Sequence, residues 1–290
     1  MMKRQGNPIF MESRETVMID RTKLTRRQML RLSAGSLLAA GFWPGAMLAE
    51  GKDRSDEFHF LVVNDIHYQD KECGKWLEKI IKQMKGLAEK TDFCLLAGDL
   101  AEHGRPDQLE PMRELCKTLD RPVHVVVGNH DYLTQEDRKA YEKNFPDRIN
   151  YHFEHRGWQF VALDTTEGKL TRGTTIQPPT LSWLDHNLAR LDKKKPMIVF
   201  THFPLGPLVI GRPKNASALL ERFKEYNLQA VYCGHWHGFT ERRQNNVILT
   251  TNRCCSFRRH NHDGSKEKGY FLCHARNGKI ERKFVEVNPA

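Results

Sequence analysis

Five short stretches of the chain carry side chains able to bind a transition metal. They are Asp65-Ile66-His67, Gly98-Asp99, Gly128-Asn129-His130-Asp131, the lone His202, and Gly234-His235-Trp236-His237. An Asp and a His two apart, or an Asp after a Gly, recur by chance in any long sequence. Gly128-Asn129-His130-Asp131 after a valine run is more specific. His235 with His237 is more specific again, because two imidazoles spaced by one residue can reach a single metal cluster. The donors mix imidazole with carboxylate, which suits Mn, Fe or Zn better than Ca or Mg, whose sites are almost wholly oxygen.

These residues follow apolar runs rich in Val, Ile, Leu and Phe, at Phe58 to Val63, Phe93 to Leu96, Val123 to Val127, Phe160 to Leu163, Met197 to Phe200 and Ala230 to Cys233. Unbroken apolar runs of this length predict strands buried on both faces. Between them, Trp76, Leu77, Ile80, Ile81, Met84 and Leu87 recur at helical spacing, as do Leu109 to Leu119, Leu181 to Leu191 and Leu219 to Phe223. Strands alternating with helices give an α/β class. In an open α/β sheet ligands gather outside the carboxyl ends of the strands, so residues far apart in sequence converge on one edge. Only Phe160 to Leu163 lacks such a group; it ends in Asp164, expected in a neighbouring loop. After His237 short β-like runs at Val247 to Thr251 and Gly269 to His274 suggest a second sheet packed on the first.

Taken in order, Asp-x-His, Gly-Asp, Gly-Asn-His-Asp, a His after a strand and Gly-His-x-His resemble the calcineurin-like metallophosphoesterases from Phe58 to His237. The resemblance implies a two-sheet sandwich flanked by helices. It makes Asp65, His67 and His237 similar to the ligands of a first metal, Asn129, His202 and His235 to those of a second, and Asp99 to the carboxylate bridging both. Two divalent ions against two carboxylates leave about two positive charges for a phosphate group and a bridging hydroxide. The implied reaction is hydrolysis of a phosphodiester or phosphomonoester by metal-activated hydroxide. In the family the His of Gly-Asn-His lies near the substrate phosphate, which gives His130 a catalytic role, with Asp131 expected to orient it. Gly98 to Pro106 and Thr180 to Leu184 resemble the cyclic-nucleotide-phosphodiesterase-like branch. Purple acid phosphatases place a Tyr where Glu102 stands, which argues against a tyrosinate-bound ferric ion. His67, Tyr68 and Trp236 are expected to line the pocket, and the loops Thr165 to Pro179 and Phe203 to Pro213 to select the ester.

Two rival readings share the fold: a nuclease, and a metal-poor scaffold that binds a protein partner. The nuclease needs a concentrated basic groove. Of the formal charge of +10, residues 51–290 carry 38 Lys and Arg against 32 Asp and Glu, a net +6 without a basic stripe, so stable nucleic-acid binding is not expected. A scaffold does not require the whole donor set. The substrate expected is a small phosphate ester.

Residues 1–50 read as an export segment ahead of one phosphoesterase domain over 51–290. Arg26-Arg27 precede an apolar stretch from Leu32 to Leu48 with small residues before Glu50, a signal-peptide layout of twin-arginine type, addressed to the twin-arginine export machinery. The stretch falls below the roughly 20 apolar residues of a spanning helix. Gly35, Gly41, Pro44 and Gly45 interrupt it, so cleavage and a mature form without a membrane span are expected, in the periplasm or outside the cell. The seven cysteines lack CxxC spacing; Cys94 and Cys233 read as core, and Cys254 with Cys255 as open to oxidation. His59, His124, His152, His186 and His274 read as structural, and His260-Asn261-His262, superficially a nuclease motif, lacks that context.

Overall fold

The computed structural model describes residues 57–287; the segment expected to direct export lies outside them. Among the described residues no helix is long and apolar enough to cross a membrane.

The expected strands form, and three more join them. In chain order these are β1 (Phe58–Val63), β2 (Thr91–Ala97), β3 (Val123–Val126), β4 (Tyr151–His155), β5 (Trp158–Leu163), β6 (Met197–Thr201), β7 (Leu228–Cys233), β8 (Thr240–Gln244), β9 (Val247–Thr251), β10 (Gly269–Arg276) and β11 (Lys279–Glu286). The helices are α1 (Lys71–Lys85), α2 (Pro106–Lys117), α3 (Lys139–Asn144), α4 (Pro178–Leu188) and α5 (Ala216–Glu221). Asp70 caps α1 by accepting from the backbone N–H groups of Glu72 and Cys73, and prolines open α2 and α4, where their missing N–H costs nothing.

Two mixed sheets result, ordered β11-β10-β1-β2-β3 and β4-β5-β6-β7-β9-β8. Within them β1, β2 and β3 run parallel, as do β5, β6, β7 and β9. Alternation along β1 shows the layering. Phe58, Phe60 and Val62 enter the core between the sheets with Phe93, Phe160, Phe200 and Tyr232. Leu61 and Val63 face the other way, against Leu77, Ile80 and Met84 of α1 and Leu109 and Met112 of α2. The second sheet buries Val161, Val199 and Val231 against Leu184 of α4 and Leu219 of α5. This is the expected two-sheet sandwich flanked by helices. Both faces of the central strands are covered, which is why their sequences are apolar runs.

The unforeseen strands β4, β8 and β11 are antiparallel partners at sheet edges. One face of each meets solvent, so Thr240-Glu241-Arg242-Arg243-Gln244 reads as a polar loop until its partner is known. Cys94 and Cys233 are core residues as expected, and all seven cysteines are free thiols. Cys254 and Cys255 are buried and unpaired, so their expected oxidation has no counterpart here.

Candidate metal centre

Each donor stretch begins where a parallel strand stops. β1 runs into Asp65 and His67, β2 into Asp99, β3 into a turn of 3-10 helix over Asn129–Asp131, β6 into His202, and β7 into His235 and His237. Leaving a strand and returning a side chain to the same point needs a sharp backbone reversal. Asp65, His67, Asp99, His235 and His237 accordingly lie in the left-handed region, with φ between 45° and 66°. That conformation is uncommon for any residue but glycine, and its gathering at one place marks strain held by the surrounding fold. Gly98, at φ 82°, packs on the His202 ring, and a side chain on Gly128 would meet the backbone and carboxylate of Asp99 at 2.2 Å.

All seven expected ligands come together. His67 Nε2 and His237 Nε2 lie 3.0 Å apart; Asp65 Oδ1 is 3.3 Å from the latter and Asp99 Oδ2 3.4 Å from the former. On the other side of Asp99, Oδ1 is 3.3 Å from His202 Nε2. That nitrogen and His235 Nδ1 meet Asn129 Oδ1 at 3.0 and 3.1 Å.

The outer nitrogens of three of the four histidine donors are held by carbonyl oxygens. His202 Nδ1 donates to the Ala97 carbonyl at 2.9 Å, His235 Nε2 to Thr171 at 2.9 Å, and His237 Nδ1 to His260 at 3.2 Å. His67 Nδ1 makes an oblique contact, 3.1 Å long, with Glu102 Oε2. In their neutral forms, with protons outward, the imidazoles would turn inner lone pairs toward carboxylate and amide oxygens that also carry only lone pairs. A cation resolves that arrangement, and outward hydrogen bonds are how metal-bound imidazoles are commonly oriented. The residues therefore fit metal ions.

The electrostatics agree. Burial alone would push the Asp65 carboxyl up, but His237 beside it holds it well below the usual range. Burial opposes a charge on His237 and on His202, yet Asp65 and Asp99 raise them to about 11 and about 9. The carboxylates thus keep positive charge in a place where burial disfavours it. His235 moves to about 4, through burial and the charge of His202.

His130 sits at the rim, its ring centroid 4.7 Å from that of His67. Its backbone N–H donates to Asp99 Oδ1 at 2.9 Å, and its Nδ1 to the Glu102 carbonyl at 2.8 Å. Asp131 takes a different place from the one expected. Its carboxylate accepts the N–H groups of Ala101 and Gly128 at 2.9 and 2.8 Å, so it braces the turn, and the group orienting the His130 ring is Glu102. Burial first, then Asp99, push the Asp131 carboxyl up to about 7.

Glu102 is the principal residue that sequence reasoning missed. Its carboxylate is paired with Nε and Nη2 of Arg259 while touching His67 and lying 3.6 Å from His130 Nδ1. The His260-Asn261-His262 run also belongs to the site's surroundings: besides the His260 carbonyl, the His262 ring stacks on that of His237 at 4.8 Å. Tyr68, expected in the pocket, is buried with its hydroxyl against Gly74 instead. Trp236 is partly exposed, 5.3 Å from His262. Asp164 lies outside the donor set, paired with Arg138 and capping Thr166.

Comparison with known proteins matches residues 58–239 to the family described as calcineurin-like phosphoesterase. Among curated relatives, the glycerophosphodiester phosphodiesterase GpdQ of Enterobacter lignolyticus is 24% identical over 211 residues, covering 67% of this chain and 73% of that protein. A 3',5'-cyclic-nucleotide phosphodiesterase of Nostoc is 25% identical over 198 residues, covering 66% and 73%. Among solved structures, a purple acid phosphatase from yellow lupin seeds aligns with a TM-score of 0.58 at 14% identity, over 80% of this chain and 52% of that one. The family match spans the stretch that builds the buried donor cluster, and the chain belongs to the calcineurin-like phosphoesterases, hydrolases of phosphoester bonds.

Proposed function

We propose that the chain works with two metal ions, Mn, Fe or Zn, and cleaves small phosphate esters, diesters first. The observation that carries this is Asp99. One buried carboxylate offers Oδ2 to the His67 side and Oδ1 to the His202 side, so a single residue serves two donor nests. Asp65, His67 and His237 complete the first nest; Asn129, His202 and His235 complete the second. Ions bound there supply Lewis acidity toward phosphoryl oxygens and lower the pKa of water. The chain's own part is to hold the ester in line and to move a proton. Because His130 Nδ1 is committed to the Glu102 carbonyl, a proton on Nε2 is the one available to the leaving oxygen. Diester preference is supported by the phosphodiesterase names of the relatives, and export to the periplasm or beyond by Arg26-Arg27 and the apolar stretch after them.

Metal analysis of the protein purified without chelator tests the count. Close to two ions are expected in the wild type, and Asp99→Asn should lose occupancy in both nests. A protein that holds no metal and takes up none from Mn, Fe or Zn defeats the reading. A panel of phosphate esters then ranks the substrates.

A further inference from the structure

The large apolar side chains exposed among the described residues are Leu133, Leu170, Leu208, Ile210, Phe239 and Phe257. Their distribution is one-sided. They follow the ends of β3, β5, β6, β7 and β9, the edge where the donors gather, and none lies at the opposite edge. Several contacts tie their loops to the cluster. Thr171, next to Leu170, gives the carbonyl that holds His235. Gly211, next to Ile210, packs so closely on the His235 ring that an added Cβ would lie 2.5 Å from it. Lys169 Nζ donates to the Tyr132 carbonyl at 2.7 Å, drawing in the loop of Leu133. Phe257 stands two residues before Arg259, the partner of Glu102.

Phe239 and Phe257 lean on Phe271 and Trp76, so the outermost group is Leu170, Leu208 and Ile210. Leu208 is 94% exposed and at φ 62°. A leucine in the left-handed region gains nothing from water on all sides, and monomeric proteins seldom gather such side chains around one opening without an occupant. The charge beside them has one sign. The stretches 169–173 and 208–215, which carry these three side chains, contain Lys169, Arg172, Arg212 and Lys214 and no Asp or Glu. A second copy docked by a two-fold axis would set basic segments against basic segments, whereas an anionic lipid surface complements both the charge and the apolar tips.

Resting on the phosphoesterase reading, we infer that the rim docks on an anionic lipid surface and that the substrate is an amphiphilic phosphoester presented there. Water adds across its P–O ester bond, releasing an alcohol and leaving the phosphate on the other fragment. Leu170, Leu208 and Ile210 enter the acyl boundary while Arg172 and Lys214 meet headgroups, the arrangement of a protein that lies on a membrane.

The test compares the full metal-loaded chain with Leu208→Asn/Ile210→Ser. Both proteins keep residues 1–50, so any membrane affinity of that segment cancels. Flotation with phosphatidylcholine vesicles, with and without phosphatidylglycerol, reads docking. The wild type should favour the anionic vesicles, and the variant's partition should fall by about tenfold or more. On a short-chain glycerophospholipid the wild-type rate should rise once micelles form, and the variant's should not. On a soluble nitrophenyl phosphodiester, which needs no interface, both should turn over and neither should respond to micelles. Equal partitioning and no rise with micelles overturn the inference while leaving the phosphoesterase reading intact. A dimer in sedimentation that the substitutions dissociate also overturns it, giving the rim to a second copy. Failure of the wild type on every soluble ester defeats the underlying reading instead.

Discussion

His130 and Asp131 are neighbours in one motif, yet their surroundings give them different work. Asp131 is fully buried and spends both oxygens on backbone amides, whereas His130 keeps its Nδ1 on a carbonyl and its ring at the rim. If His130 acts on the ester and not on the metals, His130→Ala should keep the wild-type metal content while the rate falls by roughly 10²–10⁴. The leaving group refines the test. A nitrophenyl ester departs with little protonation and should suffer less than an alkyl or nucleoside ester if His130 is the acid; equal losses point to electrostatic stabilisation. Full activity with full metal removes His130 from the reaction.

At the scale of elements, β3 carries a cost that neutral pH hides. The His124 ring stacks on Phe153 at 3.7 Å with its Nδ1 buried and unpartnered. Burial first, then Arg148 and His155, press its pKa from 6.5 down to about 4. The unfolded chain therefore takes up the proton before the native one does. This histidine costs nothing above about pH 6.5 and costs increasingly as pH falls toward 4, on the order of 2 kcal/mol after allowing for partial exposure. Urea midpoints at pH 7 and pH 4.5 check this: His124→Leu should lose less stability than the wild type between those values. An equal loss would show that His124 is already charged in the native state.

For the molecule as a whole, the donors come from both sheets, so metal binding couples the two halves of the sandwich. Ions that bind only the folded form at a thousand times their dissociation constant add about 4 kcal/mol. Stripping with chelator should then lower the melting temperature by on the order of 10 °C for a domain of this size, reversed by adding back the metal. An unchanged melting curve in a protein shown to have lost its ions would mean that the cluster is braced without them. The proposed export belongs to the whole precursor and is tested on the full-length chain. Replacing Arg26 and Arg27 together by Lys should leave it unprocessed in the cytoplasm, because twin-arginine recognition discriminates between the two side chains despite their equal charge. Normal processing in cell fractions assigns the segment to another route.

The sequence alone determined the central strands, the class and which candidate donors meet at one edge. Strands buried on both faces must be apolar throughout, and polar residues straight after such runs must lie at one sheet edge. Edge strands such as β8 and β11 were not legible, because a strand wetted on one side looks polar without its partner, although Asn277-Gly278 between β10 and β11 was a usable hairpin signal. Within the site, first contacts were legible and their supports were not. Glu102, Arg259, the Thr171 and His260 carbonyls and the apolar rim come from loops with no spacing rule to announce them. Tertiary structure decided these, since an oxygen is recruited to an imidazole by proximity in space, and the chain passes that point only after the sheets have packed.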